Sequence, residues 1–227
     1  MTSFIIFPTL SWYTNPHTNS LQKGLFLQNP VQAYYHADYH SGNQMQRETV
    51  GTIENIITTL KNQFKDKSQD LLRQAGKRLI TILNTDLPQV LRQEKKIELV
   101  ACVIPRAKPE SAYINTQLVF KKAVKASIVN LKGFIDGTNY IVRHTSTRTT
   151  HMDKSGYGGN GNLPYPGITK ETCTISDKIK NKDILLIDDL YTAKVNIDED
   201  AIQTLLDKGA NSVIFYSLGK TIKEINK

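Results

Sequence analysis

The 227-residue chain carries 29 Lys and Arg against 21 Asp and Glu, a formal charge of +8, with 39% hydrophobic residues, 13 Gly and 8 Pro. Such a composition excludes fibrous and low-complexity classes, and its longest aliphatic runs, such as Leu99–Ile104, are far too short to cross a bilayer. The length fits one sizeable α/β domain with an appendage, or two small domains.

The N-terminal stretch MTSFIIFPTLSW lacks a basic start and a small-residue cleavage site, so a cytoplasmic location is expected, without membrane contact. Cys102 and Cys173 form no framework or metal pattern and read as reduced thiols. The positive charge suits an anionic partner such as a nucleotide, a pyrophosphate or nucleic acid. The lysines are scattered and no aromatic RNA-binding signature accompanies them, so a solvated surface is favoured over a nucleic-acid interface.

Residues 1–45 are rich in Tyr, His, Asn, Pro and Thr and show little periodicity. Within them His36 and His40 stand four apart with Asp38 between; on a helix they would share a face, yet no third metal ligand is evident. Aromatic packing or an interface is the plainer reading. From Thr49, Val50, Ile53, Ile57, Leu60 and Phe64 recur at spacings of three and four, which predicts an amphipathic helix. A second helix is expected from an N-cap at Ser68, with Leu71, Ala75, Leu79 and Ile82 on one face and a stop at NTDLP.

KIELVACVIP (96–105) reads as a strand buried on both faces, followed by the basic loop RAKP. A helical stripe through Tyr113, Phe120, Val124 and Ile128 comes next, then a strand at 139–144 and a long polar, glycine-rich segment of the kind that is functional or disordered. A strand at 183–188, a helix at 197–208 closed by Gly209, and a strand at 212–218 complete the chain. Strands alternating with helices imply a doubly wound parallel sheet, whose ligands bind at the carboxyl ends of its strands. The expected division is an N-terminal region at 1–92, irregular and hood-like with two helices, and a core at 93–227.

Asp188 and Asp189 fall at that carboxyl edge. Asn196 can cap the following helix and Glu199, three residues on, completes a capping box. The loop from Thr192 to Asn196 would then present free backbone N–H groups to a phosphate, while the carboxylates accept hydrogen bonds from ribose hydroxyls.

In this order, ILLIDD followed by LYTAKVN resembles the PRPP-binding motif of type I phosphoribosyltransferases. Together with AIQTLLDKGANSVIFYSLGKT it is most similar to the ComF-like and amidophosphoribosyltransferase-like branch, over roughly residues 54–221. The resemblance implies an α/β type I phosphoribosyltransferase-like fold with an extra N-terminal mixed or helical region. It implies PRPP or a nucleoside monophosphate as ligand, Mg²⁺ carried mainly through PRPP at Asp188 and Asp189, and transfer of the 5-phosphoribosyl group to or from a nitrogenous base. Asp188 and Asp189 would hold the ribose hydroxyls; Tyr191, Thr192, Ala193, Lys194, Val195 and Asn196 would line the 5-phosphate loop. Arg106, Ala107 and Lys108 would meet pyrophosphate, and Arg143, Arg148 and His151 would close over it. A homodimer or a protein partner is left open.

The sequence departs from the family at Lys194, where glycine is usual, and at Asn196, where Thr or Ser is usual. Asp198, Glu199 and Asp200 suit the helix dipole but would repel a bound phosphate. The ComF zinc ribbon is missing. These departures favour an alternative, a non-catalytic PRPP- or nucleotide-binding regulator using the same pocket. A third reading, a nucleic-acid-binding protein on the same scaffold, predicts steep salt dependence.

Overall fold

The computed structural model describes residues 1–15, 17–149, 161, 165, 167–193 and 195–222. A six-stranded, mostly parallel sheet organises them. Its strands are β1 (Thr2–Ile6), β4 (Val31–His40), β10 (Ser212–Ile222), β9 (Asp183–Tyr191), β5 (Leu99–Val103) and β6 (Phe134–Asp136), in that spatial order. Only β1 runs antiparallel, against β4; the other four pairings are parallel. Two small antiparallel pairs lie outside it: β2 (Leu10–Thr14) with β3 (Leu21–Leu25), and β7 (Ile141–Arg143) with β8 (Cys173–Ile175).

The central strands are apolar throughout because both their faces are covered. Leu99 to Val103 are buried without exception, as are Ile184 to Ile187. One face packs on helices α2 (Ile53–Lys61), α3 (Gln69–Gln93) and α4 (Val119–Ile128), through Ile57, Leu60, Leu79, Leu83, Leu87 and Val124. The other face packs on α6 (Ile197–Asp207) through Ala201, Ile202 and Leu205. Two short helices, α1 (Gln44–Glu48) and α5 (Ile168–Thr172), complete the α-helices among the described residues.

The layered α/β arrangement expected from the alternating pattern is present. Several elements differ in extent, each for a tertiary reason. Residues 1–45, which offer no periodic signal, supply two strands of the main sheet, so the N-terminal region and the residues beyond 93 share one sheet. The helix begun at Ser68, whose side chain accepts from Leu71 N–H, does not stop at NTDLP. It continues through Pro88 because Leu87 and Val90 complete a buried stripe with Leu72, Ala75, Leu79 and Leu83. The hydrogen bond that Pro88 cannot make falls at the exposed residue Asn84. Leu71, expected on the buried stripe, is 38% exposed. The strand at 139–144 forms as β7 but pairs outside the main sheet, where the short β6 takes the edge position. The helix expected across 110–130 reduces to two single 3-10 turns and α4.

Candidate functional site at the carboxyl edge of β9

Strand β9 does not end at the aspartate pair. It runs on to Tyr191, paired with β10 from Asp183 through Tyr191. Adjacent residues of a strand point to opposite faces, and the two carboxylates diverge accordingly. Asp189 turns toward α2, where Lys61 Nζ lies 3.0 Å from its Oδ1. Asp188 turns toward α6 and shares a hydrogen bond with Asp198. One end of the site is therefore an ion pair and the other a carboxyl pair.

Electrostatics follow from that division. Burial would depress the Lys61 ammonium, but Asp189 and then Asp188 more than offset it and hold its pKa above the usual lysine value. Burial, reinforced by Asp189, pushes Asp188 up to about 7, against the pull of Lys61. Asp198 is likewise raised well above the usual carboxylate range, by burial and by the charges of Asp188 and Glu199, so the two carboxyls share a proton. One oxygen of Asp198 and one of Glu199 are buried without a hydrogen-bond partner among the described residues.

The loop after β9 is turned by Val195 N–H donating to the Thr192 carbonyl at 3.2 Å, and Thr192 Oγ1 lies 2.7 Å from Thr221 Oγ1. Ala193 is exposed and Tyr191 buried, its hydroxyl donating to Glu199 Oε1 at 2.9 Å. Lys194 lies outside the described residues. Asn196 enters α6 in the left-handed region, φ +64, and makes no side-chain cap, so the expected capping box is absent. Glu199 turns instead to Tyr191 and to its own backbone N–H. The amides expected to face a phosphate thus share the helix start with buried carboxylates. Asp200 serves a different purpose: it accepts from the N–H groups of Gly167 and Thr169 at 2.8 Å each, and from Thr169 Oγ1 at 2.6 Å, holding the start of α5.

The basic loop after β5 does lie beside this edge, since β5 pairs with β9 and Ile104 N–H donates to the Ile187 carbonyl at 3.0 Å. Arg106, however, is engaged. Its Nη1 donates to the carbonyls of Lys61 and Gln117 at 2.7 Å each, and its guanidinium stacks on Tyr113. It closes the end of α2 and so supports the residue that pairs with Asp189. The Ala107 carbonyl accepts from Thr147 N–H at 2.7 Å, and Lys108 is only partly exposed, with its N–H donating to the Tyr113 hydroxyl. Arg143 is buried; its Nε donates to the Arg106 carbonyl and its Nη1 to Thr172 Oγ1. Arg148 is exposed, and His151 lies outside the described residues.

Two features have no counterpart in the sequence reading. Lys61 sits on the solvated-looking end of an amphipathic helix, and nothing local marks it as the partner of an aspartate 128 positions away. The β2–β3 hairpin reaches the start of α6, where Ser11 Oγ donates to Asn196 Oδ1 at 3.4 Å. His36 and His40 belong to strand β4, not to a helix. His36 pairs with buried Asp86, which also accepts from Tyr216, and His40 with buried Glu54.

Among the described residues, no group of three or more His, Cys, Asp or Glu side chains is arranged to hold a metal ion. Mg²⁺ is commonly bound by one or two carboxylates plus the phosphates of a substrate. Asp188 fits that limited role as a single carboxylate, while Asp189 is paired with Lys61 and Asp198 shares its proton with Asp188. No helix among the described residues is long and apolar enough to cross a membrane. Comparison with protein-family models and with curated proteins finds no match for the chain.

Proposed function

We propose that the chain is a phosphoribosyltransferase-like protein that binds PRPP with Mg²⁺, or a nucleoside monophosphate, at the carboxyl edge of β9 and β5, and transfers the 5-phosphoribosyl group to or from a nitrogenous base. The observation that carries this reading is the adjacency of the two strands: β9, with its aspartates, and β5, with its basic loop, are parallel neighbours whose carboxyl ends meet at Ile104 and Ile187. An acidic, hydroxyl-accepting edge beside a cationic loop suits a ribose that carries a pyrophosphate.

In this reading Asp188, once ionised, accepts from a ribose hydroxyl and stabilises positive charge developing on the ring. Lys61 pairs with Asp189 and holds it in place. Lys108 supplies charge to the leaving pyrophosphate, while Arg106 positions the loop and the end of α2. Mg²⁺, when bound, neutralises charge on the phosphates. No side chain acts as a nucleophile; positioning and charge stabilisation lower the barrier.

A second reading, binding without transfer, is favoured by a specific observation: Asp198 and Glu199 are buried at the α6 start, where a 5-phosphate would lie, and Arg106 is committed to backbone carbonyls. Calorimetric titration with PRPP and Mg²⁺ tests both, comparing the wild type with Asp188→Asn. Saturable binding that weakens at least about tenfold in the variant supports the site, a loss of about 1.4 kcal/mol. Turnover with a panel of bases then separates transfer from binding alone. A wild type that binds neither PRPP nor nucleoside monophosphates rejects the proposal.

A further inference from the structure

The β2–β3 hairpin is built with its polarity inverted. Register pairs Leu10 with Leu25, Trp12 with Lys23 and Thr14 with Leu21, and these six residues form its outer face. The inner face, toward the body of the protein, carries Ser11, Tyr13, Gln22 and Gly24. Polar groups satisfy one another there: the Tyr13 hydroxyl donates to Gln22 Oε1 at 3.0 Å, and Ser11 meets Asn196. Outside, Leu10 is 64% exposed, Trp12 63%, Leu21 65% and Leu25 43%. A two-stranded ribbon ordinarily turns its apolar side inward and its polar side to water.

We propose that this outer face is the interface of a homodimer, covered in solution by the same face of a second copy. Charge narrows the occupant. The face bears a single charged side chain, Lys23, and its ammonium already lies over the Trp12 ring at 4.9 Å. It lacks the clustered cations that would hold an anionic bilayer or a nucleic-acid backbone. Shape and area favour a copy of itself. Apolar residues flank the central Trp12–Lys23 pair, so a two-fold axis parallel to the strands sets each Leu10 against the Leu25, and each Trp12 against the Lys23, of the other copy. The four apolar side chains and the Lys23 stem expose on the order of 500 Å², so two copies would remove roughly 1,000 Å² from water, near the lower bound of a specific interface. An interface of that size gives a dimer that dissociates on dilution.

Trp12 is the chain's single tryptophan, so its fluorescence reads the interface directly. Sedimentation velocity and iodide quenching of the full chain, over about two decades of concentration around a micromolar dissociation constant, test the proposal. The expected result is a doubling of mass with concentration, a blue shift of Trp12 emission and loss of quenching in step. Leu10→Ser with Leu21→Ser should remain monomeric with an unchanged far-ultraviolet spectrum; Leu21→Gln alone serves if the double variant fails to fold. A wild type that stays monomeric with quenchable Trp12 overturns the proposal. So does a dimer that persists in the folded variant, or a Trp12 shielded only on adding phosphatidylglycerol vesicles.

Discussion

Lys61 and Asp189 are each mostly enclosed, with side chains 23% and 20% exposed, and Asp188 precedes Asp189 in the chain, so Lys61 answers two carboxylates. Removing one partner of such a pair costs more than the pair contributes, because the remaining charge loses its compensation. Lys61→Met should therefore cost about 3 kcal/mol in denaturant unfolding, and adding Asp189→Leu should recover most of it. Equal losses in the single and double variants would show that packing of the lysine stem, not the charge, is what matters. The Asp188–Asp198 pair makes a pH prediction. Its folded pKa values are raised, so its contribution to stability is full below the ordinary carboxylate value and is lost as pH rises toward about 7. Thermal unfolding should show stability falling between about pH 5 and about pH 7 by up to about 1.4 kcal/mol per unit, and Asp188→Asn should flatten that slope. A wild-type curve already flat in this window would contradict the assignment.

At the level of elements, α3 carries the clearest tests. Ser68 Oγ accepts from Leu71 N–H at 3.3 Å, so Ser68→Ala should cost about 1 kcal/mol with no change at the candidate site. Asp86, in the half of α3 that follows the expected stop, has the opposite titration to Asp188. Burial raises its pKa, but hydrogen bonds from His36 and Tyr216 outweigh that and leave it below the ordinary value. Its contribution is therefore present above the ordinary carboxylate range and is lost as pH falls through the folded value. Asp86→Asn should destabilise the protein at neutral pH, with the difference from the wild type narrowing in acid; a constant difference down to about pH 2 would exclude this account. The local signals at Ser68 and Gly209 were legible because caps act within one turn, and Gly209 indeed closes α6 with φ +99. The continuation through Pro88 was not legible, since a local stop signal yields when burial of Leu87 and Val90 outweighs one lost hydrogen bond.

For the molecule as a whole, the site depends on which strands become neighbours. The pairing of β9 with β5 sets the aspartate edge beside the basic loop, and β4 joins β10 to complete the sheet from a segment without periodic pattern. Ligand binding should follow the same proton as stability: affinity for PRPP with Mg²⁺ should fall by about tenfold per unit below about pH 7, as Asp188 becomes protonated, and titrations at stepped pH will show it. Affinity independent of pH across that range would move the ligand away from Asp188.

By itself the sequence determined what is written in runs and periods. It specified the doubly covered strands at 99–103 and 184–187, the buried stripe of Ile53, Ile57 and Leu60 on α2, the helix α6 with its stop at Gly209, and an acidic pair near a strand's carboxyl end, though Val50 and Phe64, read onto the same stripe, are exposed. Only the tertiary structure decided that Arg106 closes a helix, that Lys61 meets Asp189, that Asp188 shares a proton with Asp198, and that the hairpin turns its apolar side outward. Periodicity records the competition of each side chain between water and the core, which is local to the chain. The partner of a buried charge depends on contacts between residues far apart in sequence, and those exist only once the sheet has chosen its neighbours.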